Sequence, residues 1–204
     1  MPKSDDLGAS RLELGECGDG TVIHRTAVIV APASVRLGRD VTIEPLAVLM
    51  GHPEGQLEIG DGSLIAPHAY LQGYGGLRIG RHVGVGAGVL MLTAVHAETP
   101  PGEPITAAPL RFGAIEIGDG CDVGVGAILL PGTRLGAGVQ VGGGALVRGE
   151  HPDGAVIAGV PARVLRMRGE GNWATGFSAE PPRRNAQGAR NFATRLTGRA
   201  SLAR

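Results

Sequence analysis

The chain's most reactive side chains are six histidines, at 24, 52, 68, 82, 96 and 151, and two cysteines, at 17 and 121. No two histidines lie closer than 14 residues, so the spacing offers no local metal-ligand set. Two cysteines make neither a disulfide framework nor a zinc site, and they suit a reducing compartment. No Gly-x-Ser-x-Gly elbow for an acyl-enzyme is present. One imidazole stands out by its place. His96 immediately precedes a long Pro-rich stretch, AETPPGEPITAAPLRFGA. Imidazole has a reference pKa near 6.5 and is mostly neutral at pH 7, so it can accept a proton. General-base help of that kind is typically worth about 10²–10⁴ in rate. A histidine at a loop edge is more often a plain surface group, so its place alone assigns no role.

The elements that would hold such a group follow from a repeat. Apolar residues recur every six positions, most cleanly at Ile117, Val123, Leu129, Leu135, Val141 and Val147. Four residues after the first five of these sits a small or branched residue: Cys121, Ala127, Thr133, Val139 and Ala145. The same phase appears at Ile23, Ile29, Val35, at Leu37, Ile43, Leu49, at Ile59, Ile65, Leu71 and at Ile79, Val85, Met91. A helix needs a period near 3.6 and an isolated strand a period of 2, so six fits neither. It fits a parallel β-helix with triangular coils, three six-residue faces to a turn. The inward ladders of such a coil have room for aliphatics and little for aromatics. Composition agrees: 36 of 204 residues are Gly and only six are aromatic.

Coil starts at 117 and 135 differ by 18 residues. Starts at 59 and 79 differ by 20, a two-residue insertion near Tyr74–Gly76. Starts at 37 and 59 differ by 22, a four-residue insertion near Gly51–Gln56. Starts at 79 and 117 differ by 38, and the 20-residue excess is the stretch after His96. A long loop thrown from a regular scaffold is usually functional or disordered. The expected organisation is an N-terminal leader over 1–20, a β-helix over 21–168 with its loop at 97–114, and a basic tail over 169–204. VIAGVPARVLR (156–166) reads as one final strand, and a short helix is expected near 189–197. Formal net charge is zero, but residues 169–204 hold six Arg and two Glu. The body shows no polyanion-binding signal, and the tail reads as solvated and flexible. No apolar run reaches the ~18 residues of a membrane span. No secretory h-region opens the chain, so the expectation is a cytoplasmic protein without membrane insertion or nucleic-acid binding.

An apolar-Gly-x-x-small-x repeat, one large loop and a terminal GVPAR resemble the hexapeptide-repeat acyltransferases. The resemblance covers about residues 21–168. It is carried by IGDGCDVGVGAILLPGTRLGAGVQVGGGALV (117–147), by VIAGVPARVLR and by GYGGLRIGRHVGVGAGVLMLTAVH (73–96). The GYGG and the short terminal region are similar to the sugar and polysaccharide O-acetyltransferase branch. The resemblance implies an all-β fold, a left-handed parallel β-helix. It implies an O-acetyltransferase that moves acetyl from acetyl-CoA to a hydroxyl of a sugar, glycan or small molecule, with no metal and no acyl-enzyme. His96 then matches the family's general base. Glu98 is a candidate to orient its ring. His68 aligns with a substrate-contacting Asn of the galactoside branch, and Tyr74 or Tyr70 suits a sugar ring. The resemblance places the pantetheine arm along Gly124, Val125 and Gly143. It places Arg148 and Gly149 where the family often has Thr-Lys, and Arg163 and Arg166 near the nucleotide phosphates. Asp122 replaces a Trp usual in the branch. Family members form homotrimers with active sites between subunits. The γ-type carbonic anhydrases share the fold, but their histidine pair five residues apart is absent here. An inactive scaffold β-helix and an N-acyltransferase of an amino sugar are the alternatives.

Overall fold

The computed structural model describes residues 13–170. Residues 1–12 and 171–204, including most of the expected basic tail and the helix expected near 189–197, lie outside the described residues. The six-residue period becomes three parallel ladders wound into about seven coils. The first face stacks Glu16–Cys17, Val35–Leu37, Leu57–Ile59, Leu77–Ile79, Ile115–Ile117, Arg134–Leu135 and Glu150–His151. The second stacks Val22–Ile23, Thr42–Ile43, Leu64–Ile65, Gly84–Val85, Asp122–Val123, Gln140–Val141 and Ala155–Gly159, closed by Ala162–Met167. The third stacks Val28–Val30, Val48–Met50, Tyr70–Gln72, Leu90–Met91, Ile128–Leu129 and Leu146–Val147.

Each repeat residue points inward and lies over its counterpart. Leu49, Leu71, Met91, Leu129 and Val147 form one ladder, all fully buried. Small residues fill the corners beneath them, and Cys121, Ala127, Thr133, Val139 and Ala145 are all buried. Glycine follows where coils close most tightly. A Cβ on Gly118 would lie 2.6 Å from the Ala137 amide nitrogen, a contact that backbone cannot relieve. The Cys121 thiol donates to the Gly136 carbonyl at 3.1 Å. Burial pushes that thiol up, the wrong direction for a nucleophile.

Two details differ from the sequence reading. The first ladder opens at Glu16–Cys17, inside the stretch read as leader, because Glu16 and Cys17 pair in register with Arg36 and Leu37. The terminal segment is a hairpin of two strands, Ala155–Gly159 and Ala162–Met167, with the latter antiparallel. Gly159, at φ 102°, turns the chain there. Alternating apolar residues on both sides of this turn read as one run in sequence.

The outer surfaces of the faces differ in chemistry. On the first face, Glu16, Arg36, Glu58, Arg78, Glu116, Arg134 and Glu150 stack in register with strictly alternating sign. On the third, Val28, Val48, Tyr70, Leu90, Ile128 and Leu146 stack in register. That face is apolar on both sides. Among the described residues, no helix is long and apolar enough to cross a membrane.

The edge between the first and second faces is tied by charge. Asp61 accepts from the Arg39 backbone amide at 2.8 Å and from its guanidinium, and Asp119 does the same for Arg81. The amides foremost, then the guanidiniums, hold both carboxyls below the usual carboxylate range. A carboxyl depressed on folding adds stability that is complete above its ordinary value near 4 and is lost as pH falls through the depressed value. A D61N/D119N double variant is therefore expected to lose less Tm than the parent between about pH 5 and pH 2. Equal losses in acid melts would show that the pairs contribute nothing.

Candidate active site

All the sequence insertions emerge at one edge, where the third face turns into the first. They are the turn at 51–56, the turn at 73–76 and the long excursion after Met91. The excursion is an arm whose root is regular. Ala94–His96 pairs antiparallel with Leu110–Phe112, with His96 opposite Leu110. Residues 110–112 of the expected loop 97–114 are thus strand, a three-residue pairing too short to show as a period. The tip carries one 3₁₀ turn, Ile105–Ala107.

The neck of the arm is held by a polar knot. Regular coil bonding ends at Leu92, whose amide donates to the Leu129 carbonyl at 3.0 Å. The next two amides, Thr93 and Ala94, both donate to Gln72 Oε1, at 3.0 and 2.9 Å. Two N–H donors fix which end of the Gln72 amide faces them. The Thr93 hydroxyl donates to the Gln72 carbonyl at 2.8 Å and accepts from the Gly75 amide at 2.9 Å. The returning strand closes the neck when Gly113 N donates to the Thr93 carbonyl at 2.9 Å.

His96 is exposed, and its Nδ1 lies 3.3 Å from the Ala108 carbonyl across the arm. A carbonyl only accepts, so Nδ1 carries the proton in this bond. The neutral ring then presents a free lone pair at Nε2, the state a general base needs. Glu98, the candidate to orient the ring, is exposed on the arm and makes no bond to it among the described residues. The Ala108 carbonyl does that work instead. No residue type announces a backbone carbonyl, so sequence reasoning missed it.

The remaining candidates fall on two edges of the third face. Tyr74 shares the arm edge, its ring 4.8 Å from that of His52. These two rings, with Phe112 from the arm, line a groove of about 370 Å³. Arg148 and Gly149, both exposed, follow the last third-face strand and so lie on this edge too. His68 lies on the other edge, where the second face turns into the third. It holds φ 61° at a corner that later coils give to Gly88, Gly126 and Gly144. Gly124, Val125 and Gly143 cluster there; a Cβ on Gly143 would sit 3.2 Å from the Val125 carbonyl oxygen. Gly124 and Gly142 continue through Ala158 to Arg163, a strip without bulky side chains that ends on a guanidinium. Arg166 pairs with Val156 on the same face, its guanidinium donating to the Met167 carbonyl. Tyr70 lies between the two edges, on the outer third face. Asp122 is exposed on the outer second face, beside Gly84 and Gln140. Within one chain, His96 and the glycine strip therefore flank the third face without meeting. Among the described residues, no cluster could hold a metal ion.

No family model matches the chain. Over 91 residues, 45% of its length, it is 36% identical to 2,3,4,5-tetrahydropyridine-2,6-dicarboxylate N-acetyltransferase from Staphylococcus aureus. That alignment covers 33% of the relative, so the chain spans about a third of the length of the curated relatives it matches. Among solved structures it is similar to AntD, an N-acyltransferase from Bacillus cereus crystallised with dTDP and coenzyme A. The TM-score is 0.68 at 20% identity, over 91% of this chain and 92% of that one, a likeness of fold alone. It is also similar to perosamine N-acetyltransferase from Caulobacter crescentus, crystallised with CoA and GDP-perosamine. There the TM-score is 0.53 at 26% identity, over 71% of this chain and 55% of that one. By its coiled fold, and by sequence over the stretch that aligns, the chain is similar to the hexapeptide-repeat acyltransferases, the family its repeat resembles.

Proposed function

We propose that this chain transfers an acyl group from a coenzyme A thioester to an amine of a small acceptor, with His96 as general base. The observation that carries this reading is the His96 ring, held by the Ala108 carbonyl with Nε2 free, on an arm beside the apolar third face. The acceptor nitrogen attacks the thioester carbonyl, and Nε2 takes the proton that nitrogen must lose. The C–N bond forms, the C–S bond breaks, and the departing thiolate takes the proton back from the imidazolium. No acyl-enzyme is needed.

The relatives named above are N-acyltransferases. They favour nitrogen over the hydroxyl oxygen that the O-acetyltransferase resemblance implies, and an amino sugar is the acceptor class we favour. Acetyl-CoA is the donor, its pantetheine arm running along Gly124, Val125 and Gly143 with Arg163 and Arg166 toward the nucleotide. His68, Tyr74, Glu98, Arg148 and Gly149 remain acceptor- or donor-side candidates.

The working unit in this reading is a homotrimer. A monomer rarely leaves so continuous an apolar face in water. The alternating charges of the first face, among which Arg134 pairs with Glu116 and Glu150, suit solvent. Three copies with their third faces turned toward a common axis set the arm edge of one against the glycine edge of the next. His96 of one copy then meets the donor strip of its neighbour. The arm fits this arrangement, since Val95, Ile105, Leu110 and Phe112 are all at least 40% exposed on one chain.

Calorimetric titration with acetyl-CoA is expected to show one site per chain at micromolar to submillimolar affinity. A thiol-release screen of amino sugars against their hydroxyl analogues then identifies the acceptor atom. Release with hydroxyl analogues alone would restore O-acetylation. No binding at millimolar donor would overturn the reading and leave a scaffold.

A further inference from the structure

We propose that Gln72 is a positioning residue for His96: its side-chain carbonyl replaces the coil-to-coil bonding lost where the arm leaves the solenoid, and so aims the ring. The inference rests on the acyl-transfer reading only for its kinetic consequence; the geometry stands by itself.

At this edge, amides leaving the third-face strands find a backbone carbonyl of a neighbouring coil: Gly51 donates to Val30 at 3.0 Å and Gly73 to Met50 at 2.8 Å. Leu130 donates in this way to Val147 at 2.9 Å. Thr93 and Ala94 make no such backbone bond, and the Gln72 carbonyl, the counterpart of Met50, accepts from the Thr93 hydroxyl instead. Both amides are buried with their residues, which are 0% and 8% exposed. Burying an amide without a partner is costly, so the neck would rearrange if both were abandoned. Gln72 Oε1 meets both at 3.0 and 2.9 Å.

Only Val95 separates this knot from His96. The ring's partner, Ala108, lies on the returning side of the arm, where Pro109 accepts from the Ala97 amide at 2.9 Å. The two sides of the arm keep their register only while the neck is fixed. A slip there carries the Ala108 carbonyl away from Nδ1, and the ring loses the bond that selects its tautomer. Gln72 touches no reacting atom in this scheme. It sets the direction of the lone pair that does.

The test compares Gln72→Leu and Gln72→Glu in the full chain. Leu keeps the bulk and removes the acceptor. Glu keeps an acceptor oxygen for both amides. Long-range nitrogen–proton NMR spectra of the free protein report the His96 tautomer. The parent is expected to be Nδ1–H, Gln72→Leu a mixture with Nε2–H, and Gln72→Glu like the parent. Amide exchange at Thr93 and Ala94 should rise in the Leu variant alone. With acetyl-CoA and an acceptor, Gln72→Leu should lose about 10–100-fold in kcat, with the donor KM within about twofold. An unchanged tautomer and unchanged exchange in Gln72→Leu would overturn the positioning role. So would failure of Gln72→Glu to restore them while its melting temperature matches the parent's. If the spectra respond as expected but the parent transfers no acyl group, the positioning role stands and the transferase reading falls.

Discussion

Replacement of His96 by alanine is expected to lower kcat at least about 100-fold, the lower range for loss of a general base. Acetyl-CoA affinity should stay within about twofold, because in this reading the glycine strip and the arginines hold the donor, while His96 acts on the acceptor's proton. Stability should hardly change, within about 0.5 kcal/mol, as for most exposed side chains. The exposed ring supports no core residue, and the arm's pairing there is made by backbone. The deficit should shrink as pH rises, since an amine acceptor then sheds its own proton and needs less help. Steady-state rates across pH, beside donor calorimetry, separate these effects. Turnover near that of the parent would remove His96 from the mechanism.

The second large effect is expected from Ile128→Asp. Ile128 lies on the outer third face between Leu90 and Leu146. Its side chain leaves the inward ladder to Leu129, so the single chain should fold as before. In the proposed assembly the new carboxylate would be buried against a neighbour without a partner, a penalty of several kcal/mol. Sedimentation should then show a single-chain mass in place of three. Turnover should fall by about 100-fold or more, because His96 and the donor strip no longer meet. A single-chain species with full activity would disprove the shared site, and a stable trimer would disprove the chosen face.

Much of this architecture was legible because its cause is a period. Every residue of the run Ile117 to Val147 that the spacing turned inward is buried, and the insertions lie where the coil lengths changed. What stayed hidden depends on which residues become neighbours across coils. Gln72 and Thr93 are 21 residues apart, and nothing in either residue type announces their bond. That all the insertions share an edge follows only once each strand has a face. The outer apolar stripe was written in the chain, immediately before each inward residue of the third face: Val28 before Ile29, Leu90 before Met91, Ile128 before Leu129. A six-residue period speaks for the inside alone and leaves this stripe unmarked. The role proposed for His96 comes from resemblance, and the Ala108 carbonyl beside its Nδ1 is a contact that no spacing announces.

The register of the ladders passes straight across the arm: Ile79 lies opposite Ile117, as Ile59 lies opposite Ile79. Adding most coils means closing a chain segment of one turn; adding the coil after the arm means closing a segment about twice as long. Loop-closure entropy rises only as the logarithm of length, so the doubling costs about 0.6 kcal/mol. Because each coil leans mainly on its immediate neighbours, that cost is local and does not spread through the stack. The arm can therefore be lengthened, shortened or exchanged at small expense in folding free energy. The part of the chain that carries the proposed base is free to diverge while the coils beneath it stay as they are.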